Sequence, residues 1–245
     1  MDILYLFSGR TGSEHLRYSL RSIEKNCKNV GKVFLVGHKP EWCKNVIEIP
    51  YDSDPALYKE NDITKAIFHA VENSKIGNRF LISADDYFYI DPTDLATYPV
   101  YRKGELPDTR EGKESMGGWK YVQSLVNTRQ ILTEAGLPTD NYSQHALFYG
   151  DRKLMKKYKA LFDKAFGYEF GAVYDTLMSA LIVANDKKAV VVNRKDNKIH
   201  YIENMAYLRN AIGDTEVFST APMAWENGAK KLLSELFPEP SKYEK

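Results

Sequence analysis

The chain is poor in cysteine: Cys27 and Cys43 stand alone in 245 residues. Their spacing matches neither a Cys-x-x-Cys zinc pair nor a disulfide framework, so both read as ordinary thiols in a reducing compartment. An excess of one charge is also missing. Lysine and arginine (34) nearly balance aspartate and glutamate (33), for a formal net charge of +1. No global field therefore draws the chain to nucleic acid. No apolar run approaches the roughly 20 residues of a membrane-spanning helix. The first residues turn apolar almost at once, without a basic leader or cleavage site. A cytoplasmic protein without a membrane span is expected. What is plentiful is tyrosine, with 17 residues. An apolar ring with a hydrogen-bonding tip suits a cleft for sugars or bases, and equally a half-buried surface.

Apolar runs and helical repeats alternate through the first part of the chain. Asp2 to Phe7 reads as a buried strand that ends at Ser8-Gly9-Arg10-Thr11-Gly12, a polar loop containing glycine. Leu16, Leu20 and Ile23 recur at helical spacing from Glu14 to Asn26. Val33 to Val36 and Val46 to Ile49 are further short strands, the second followed by an acidic loop with Asp52 and Asp54. Asn61 or Asp62 can cap a helix whose apolar face is Ile63, Ile67, Ala70 and Val71. Arg79 to Ser83 is another buried strand and leads into Asp85-Asp86. Such alternation predicts an α/β fold with a mostly parallel sheet flanked by helices. Ligands of such sheets sit beyond the carboxyl ends of the strands, where the three polar segments converge.

After Pro99 the texture changes. Arg102 to Gly118 is charged and contains glycine, which reads as a mobile loop. Helices are expected over Trp119 to Ala135, Arg152 to Ala165, Val173 to Ala184 and Ala229 to Leu236. Strands are expected at Ala146 to Tyr149 and Ala189 to Asn193. No repeat or long linker divides the chain. Residues 1–98 and 99–245 read as two halves of one domain.

Two adjacent carboxylates at the end of an apolar strand repel one another. At about 5 Å and an effective dielectric of about 20, the repulsion is roughly 3 kcal/mol. A hard divalent cation such as Mg²⁺ or Mn²⁺ removes it and accepts oxygen ligands. The alternative is one aspartate capping a turn while the other faces solvent.

Phe80-Leu81-Ile82-Ser83-Ala84-Asp85-Asp86-Tyr87-Phe88 resembles the Asp-x-Asp-type segment of GT-A-fold glycosyltransferases. Leu16 to Lys25, followed by Lys32 to Val36, is similar to the first half of the Stealth phosphosugar transferases. The likeness covers about the first 95 residues; the Asp-Gly-rich opening of Stealth is replaced by Ser8 to Gly12, and its later blocks are not recognisable. The resemblance implies a GT-A-like, Rossmann-type fold with a C-terminal acceptor-side region. It also implies a nucleotide-sugar donor and a saccharide or other hydroxyl acceptor. In that frame residues 1–98 are the nucleotide-sugar half and 99–245 the acceptor half. Asp85 and Asp86 become metal ligands, joined by His200 late in the chain. Ser8, Gly9 and Arg10 fall where base and ribose are held.

Around that frame the residues leave several roles open. Arg17 and Arg21, at i, i+4, can face one anion or form a solvated basic face. Asn61 and Lys65 share a helix face that points to the diphosphate if the sheet order is as supposed. His145 is a candidate general base or acceptor contact, with a structural role as its alternative. Asp175, at the start of an apolar helix, is the leading candidate base for an inverting reaction, with Glu169 in reserve; it equally suits the helix dipole. Trp119 can stack on an acceptor sugar. Phosphosugar transfer, transfer to hydroxymethylated DNA bases, and a non-catalytic binding module are the competing readings. Nucleic acid is the less favoured partner, although Arg102 to Lys120 interleaves basic and aromatic residues.

Overall fold

The computed structural model describes residues 1–9, 12–113, 116–193, 198–213 and 215–245. Its centre is a five-stranded sheet in the spatial order Phe148–Asp151, Arg79–Ala84, Ile3–Leu6, Val33–Val36, Ile47–Ile49. The last four strands run parallel, and Phe148–Asp151 runs antiparallel beside Arg79–Ala84. Each inner strand is apolar at consecutive positions because both faces of the sheet are covered. Leu4, Phe34, Phe80 and Ile82 pack with Ile67 and Ala70 of the Lys59–Asn73 helix, and with Leu125, Leu177 and Leu181 of two later helices. The alternate residues Ile3, Tyr5, Val33, Leu35 and Leu81 pack on Leu16, Leu20 and Ile23 of the Glu14–Asn26 helix.

From Ile3–Leu6 the chain steps outward through Val33–Val36 to Ile47–Ile49, then returns to the other side at Arg79–Ala84. This reversal leaves a crevice beyond the carboxyl ends of the two central strands. Gly37 makes the close approach there possible. Its φ is +131°, and a Cβ at this position would lie 2.0 Å from the Phe7 carbonyl oxygen.

Asp85-Asp86 form a two-residue turn between Arg79–Ala84 and a further strand, Tyr87–Tyr89. That strand pairs antiparallel with Val217–Thr220, and Lys198–Ile199 completes a second, three-stranded sheet. Phe88, Phe218 and Trp225 meet in its own small core. The first helix fixes this strand: Ser19 Oγ donates to the Tyr87 carbonyl at 2.6 Å, and the Tyr89 N–H donates to Ser22 Oγ at 3.0 Å. Since the Ser19 proton goes to Tyr87, the Tyr5 hydroxyl is the donor in its 2.8 Å bond with Ser19.

Several elements depart from the sequence reading. The helix expected to be capped by Asn61 or Asp62 starts a turn earlier, with Tyr58 at its cap and no side-chain cap bond. The helix expected over Arg152 to Ala165 breaks at Tyr158 (φ −108°, ψ 28°) into Arg152–Lys157 and Lys159–Phe166. Lys157 and the Tyr158 hydroxyl both donate to Asn185 Oδ1, at 3.0 and 3.1 Å, which pins the break. The segment read as a mobile loop contains the strand residues Arg102 and Gly104–Glu105. They pair with Val191–Asn193 and Asp140–Asn141, and Arg102 donates to Asp140 Oδ1 at 2.5 Å. Among the described residues, no helix is long and apolar enough to cross a membrane.

Candidate active site

The crevice beyond the strand ends has two compartments. One, of about 540 Å³, is walled by Phe7, Ser8, Tyr51, Asp54, Leu57 and Asp85. The other, of about 700 Å³, is walled by Tyr87, Tyr121, His145, Asp175, Lys198 and His200, among others. Both volumes are those of small-ligand sites. Leu6, Lys59, Ile63 and Ala84 line both, so the compartments meet beside the Asp85-Asp86 turn.

Asp85 and Asp86 are half-buried. Burial, reinforced by the charge of Asp86, pushes the Asp85 carboxyl up to about 7. Burial also raises Asp86, while the charges of His145 and Lys198 pull it back. Two desolvated, mutually repelling carboxylates are a donor set that suits a hard divalent cation. Mg²⁺ in particular is held by one or two carboxylates while water and phosphate oxygens complete its shell. Among the described residues, no group of three or more His, Cys, Asp and Glu side chains is gathered closely enough to hold a metal. His200 lines the larger compartment and is exposed, without joining the pair in such a group.

Among the described residues, Lys59 is the charged side chain that lines both compartments, and the sequence reading missed it. Its Nζ lies 3.2 Å from Glu60 Oε1 and 5.1 Å from the centre of the Tyr121 ring. Burial alone would lower its pKa, but Glu60 and, more weakly, Asp175 outweigh that and raise it, so the ammonium stays charged. The missed signal was positional. Lys59 is the first residue of a helix whose apolar repeat only becomes visible at Ile63.

Asp175 stands in the first turn of the Tyr174–Asn185 helix and faces the larger compartment. Its Oδ1 is buried with no hydrogen-bond partner. Burial, then the charge of Glu60, raises its pKa to about 6, opposed by hydrogen bonds from Ser143 and Thr176. A carboxylate raised toward neutrality, with one oxygen left without a hydrogen-bond partner, has the properties of a general base. His145 lies in the same wall, edge-on to Tyr87 at 6.4 Å.

Other expected donor-site residues are placed elsewhere. Ser8 lines the smaller compartment, and Gly9 behind it holds a left-handed turn (φ +68°). Arg10 lies outside the described residues. Arg17 is not among the wall residues: it sits over the Trp42 ring at 4.7 Å and lies 3.4 Å from Glu244, away from the crevice. Arg21 grips the same glutamate. Asn61 is buried and donates to the Tyr168 carbonyl at 3.1 Å, which corrects its expected role toward the diphosphate. Lys65 is exposed, and its Nζ lies 3.5 Å from Asp54 on the outer side of the smaller compartment. Glu169 and Trp119 stand at a neighbouring recess rather than in the crevice.

Asp62 is a second residue whose role sequence alone did not reveal. Its carboxylate accepts from the Tyr51 hydroxyl at 2.8 Å, Ser53 Oγ at 2.6 Å and the Asp54 N–H at 3.0 Å. It thereby fastens the loop after the third parallel strand into the wall of the smaller compartment.

No protein-family model and no curated protein matches the sequence. Among solved structures, the chain is similar to the galactosyltransferase LgtC in complex with donor and acceptor sugar analogues. The TM-score is 0.52 at 13% identity, covering 99% of this chain and 97% of that one. It is similar to the same extent to an active-site mutant of LgtC, with TM-score 0.52 and 12% identity over 99% and 97% of the two chains. These comparisons do not show the narrower Stealth resemblance. What they establish is the architecture: a GT-A-like α/β fold with a mostly parallel central sheet flanked by helices.

Proposed function

We propose that the chain is a nucleotide-sugar-dependent glycosyltransferase that moves a sugar to an acceptor hydroxyl. The observation that carries this reading is the junction of two compartments at Asp85-Asp86, with Lys59 facing both. The smaller compartment, with Ser8 and the loop fastened by Asp62, holds the nucleoside. The diphosphate lies at the junction, where the Lys59 ammonium neutralises part of its charge. The donor sugar and acceptor occupy the larger compartment. In this assignment residues 1–98 supply most of the donor side and 99–245 most of the acceptor side.

Asp85 and Asp86 would hold Mg²⁺ or Mn²⁺, with water and phosphate oxygens completing its shell, while His200 lines the larger compartment without joining the pair. Bound there, the ion supplies positive charge to the departing diphosphate. Asp175 takes the proton of the acceptor hydroxyl as that oxygen attacks the anomeric carbon, and His145 orients the acceptor beside it. The likeness to LgtC supports sugar transfer at the level of the fold.

The test is thermal shift with a panel of sugar nucleotides, with and without Mn²⁺, on the wild type and on Asp86→Ala. A nucleotide that raises Tm only with Mn²⁺, and not in Asp86→Ala, supports the assignment. If none raises Tm under either condition, the reading fails. Product analysis then fixes the reacting atom: a phosphodiester in the product would place attack on phosphorus, as in Stealth chemistry.

A further inference from the structure

Beside the crevice lies a shallow recess of about 400 Å³, walled by Arg110, Trp119, Gln123, Asn127, Glu169 and Phe170. Trp119 is 56% exposed although it opens a long, well-packed helix. An exposed indole beside polar side chains offers an apolar face with hydrogen-bonding groups around it. The Trp119 ring is set rather than loose. It meets the Phe170 ring at 5.0 Å and 77°, and Phe170 meets Tyr58 at 5.5 Å and 88°. The backbone under Phe170 is gripped from two helices. Asn61 donates to the Tyr168 carbonyl at 3.1 Å, and Asn127 donates to the Gly171 carbonyl at 2.8 Å. Gln123 in turn donates to Asn127 Oδ1 at 2.8 Å, which orients its amide in the recess wall.

We propose that this recess is a second saccharide subsite, which holds a sugar unit of an extended acceptor whose reacting end lies in the crevice. The proposal rests on the glycosyl-transfer reading for the word acceptor, and on the recess itself for the sugar. An aromatic platform ringed by a planar amide, a carboxylate and a guanidinium is what a pyranose requires. Its C–H face packs on the ring while paired hydroxyls bond to the flat polar groups. Arg110 and Lys120 stand over the Trp119 ring, 5.5 and 5.7 Å from its centre, which brings two hydrogen-bond donors to the platform. Position links the two sites: Gly117 and Gly118 line the crevice, and Trp119 is the next residue in the chain. Tyr58 joins them from below, because it precedes Lys59 and touches Phe170.

The full chain, as wild type, Trp119→Ala and Trp119→Phe, is tested for binding to immobilised oligomers of glucose, mannose, N-acetylglucosamine and galacturonate. Each oligomer is paired with its single sugar, and single-stranded DNA is included as a further probe. Nucleotide-sugar thermal shift is read in parallel on every variant. The expected result is binding to at least one oligomer that falls about tenfold in Trp119→Ala, the loss of one apolar contact face. Trp119→Phe should keep most of it, the single sugar should bind far more weakly, and nucleotide-sugar shifts should not change. Because Trp119 is exposed, the unfolding temperature of both variants should stay at the wild-type value. Oligomer binding indifferent to Trp119→Ala, or no oligomer bound by the wild type, overturns the proposal. So does DNA bound through Trp119 in place of sugar. Failure of nucleotide-sugar shifts with a Trp119-dependent oligomer signal leaves the subsite standing and removes the transferase reading alone.

Discussion

Lys59 holds its ammonium 3.2 Å from the Glu60 carboxylate, at the seam between the two compartments. Glu60 is buried, and its charge also bears on Asp175. Replacing Lys59 with Ala therefore removes the cation that the proposed function offers to the diphosphate and leaves Glu60 unopposed. Turnover should fall about 10²-fold, the scale for losing one preorganised charge at a departing group. The remaining activity should require a higher pH than the wild type, because an unopposed Glu60 disfavours ionised Asp175. Steady-state kinetics across a pH series checks both effects. Full turnover in Lys59→Ala would remove this residue from the phosphate site.

Asp175 makes a prediction whose sign differs for activity and for stability. Its native pKa is raised to about 6, chiefly by burial, from an unfolded value of about 3.9. As a base it must be ionised, so kcat/KM should rise with pH through about 6 and level off above it. Asp175→Asn should cost roughly 10²- to 10⁴-fold and abolish that limb. In stability the raised pKa acts the other way. Its contribution is complete below about pH 4 and is lost as pH rises through about 6. The Asn variant should therefore gain Tm relative to wild type across that window. Paired melting curves from pH 4 to pH 7, roughly the interval between the two ionisations, test this. A wild type that gains on the variant over the same interval contradicts the assignment.

In the proposed function the Asp85-Asp86 turn sets transfer against stability. Burial, reinforced by the charge of Asp86, disfavours an ionised Asp85, so at neutral pH Asp85→Asn should raise Tm in the absence of divalent cation while the proposed transfer activity falls to background. At about 2–4 °C per kcal/mol for a chain of this size, even partial relief is measurable. Added Mn²⁺ should stabilise the wild type and leave the variant nearly unmoved. A variant that melts at or below the wild type without metal would show that the cost of burying this carboxyl is already compensated.

The legible parts of the chain were those whose partners lie nearby or whose environment is uniform. Ile3–Leu6, Val33–Val36 and Arg79–Ala84 sit in a sheet covered on both faces, so each reads as an unbroken apolar run. The acidic pair was visible because it ends such a run. Val217–Thr220 was not seen: it is short, mixed in polarity, and pairs with Tyr87–Tyr89 from far along the chain. Lys59 was hidden because Asn61 and Asp62 look like caps, whereas one is a buried backbone clamp and the other fastens a loop. Arg17 and Arg21 seemed free to meet an anion because their partner, Glu244, comes from the far end of the chain, 223 residues beyond Arg21. Helical spacing alone cannot reveal that both side chains are turned toward a glutamate so distant in sequence.

Gly37 offers a purely geometric prediction. At φ +131° with the Phe7 carbonyl 2.0 Å from where a Cβ would stand, no side chain fits without separating two parallel strands. Those strands are joined there by the Phe7 N–H to Val36 carbonyl bond at 3.1 Å, and the Gly37 N–H bonds to Ile49 on the other side at 3.0 Å. Gly37→Ala should cost about 3 kcal/mol or more, a value reserved for strained backbone and broken core contacts. Because the displaced strand end carries Phe7 and Ser8, nucleotide-sugar shifts should weaken with it. Denaturant unfolding of the variant at wild-type stability would place the strands differently from this account.

Glu244 ties the end of the chain to its beginning. Its two carboxylate oxygens accept from Arg21 Nε and Nη2, each at 2.7 Å, and Oε1 also accepts from the Ser241 N–H at 2.9 Å. The glutamate and arginine side chains are only 6% and 13% exposed, so losing one partner strands the other away from water. Glu244→Ala should destabilise the protein by about 2–4 kcal/mol, while Glu244→Gln, which keeps part of the hydrogen bonding, should cost less. The pH dependence has a definite sign. Burial alone would raise the Glu244 pKa, but the Arg21 and Ser241 hydrogen bonds outweigh it and hold the carboxyl below its usual value. Its stabilisation is therefore complete above the unfolded value, about 4.3, and is lost as pH falls through the lower native value. Wild type and Glu244→Gln should melt far apart at neutral pH and converge on acidification, opposite to the Asp175 pair. A gap that persists unchanged into strong acid would mean that packing of the tail, not this charge, holds it to the first helix.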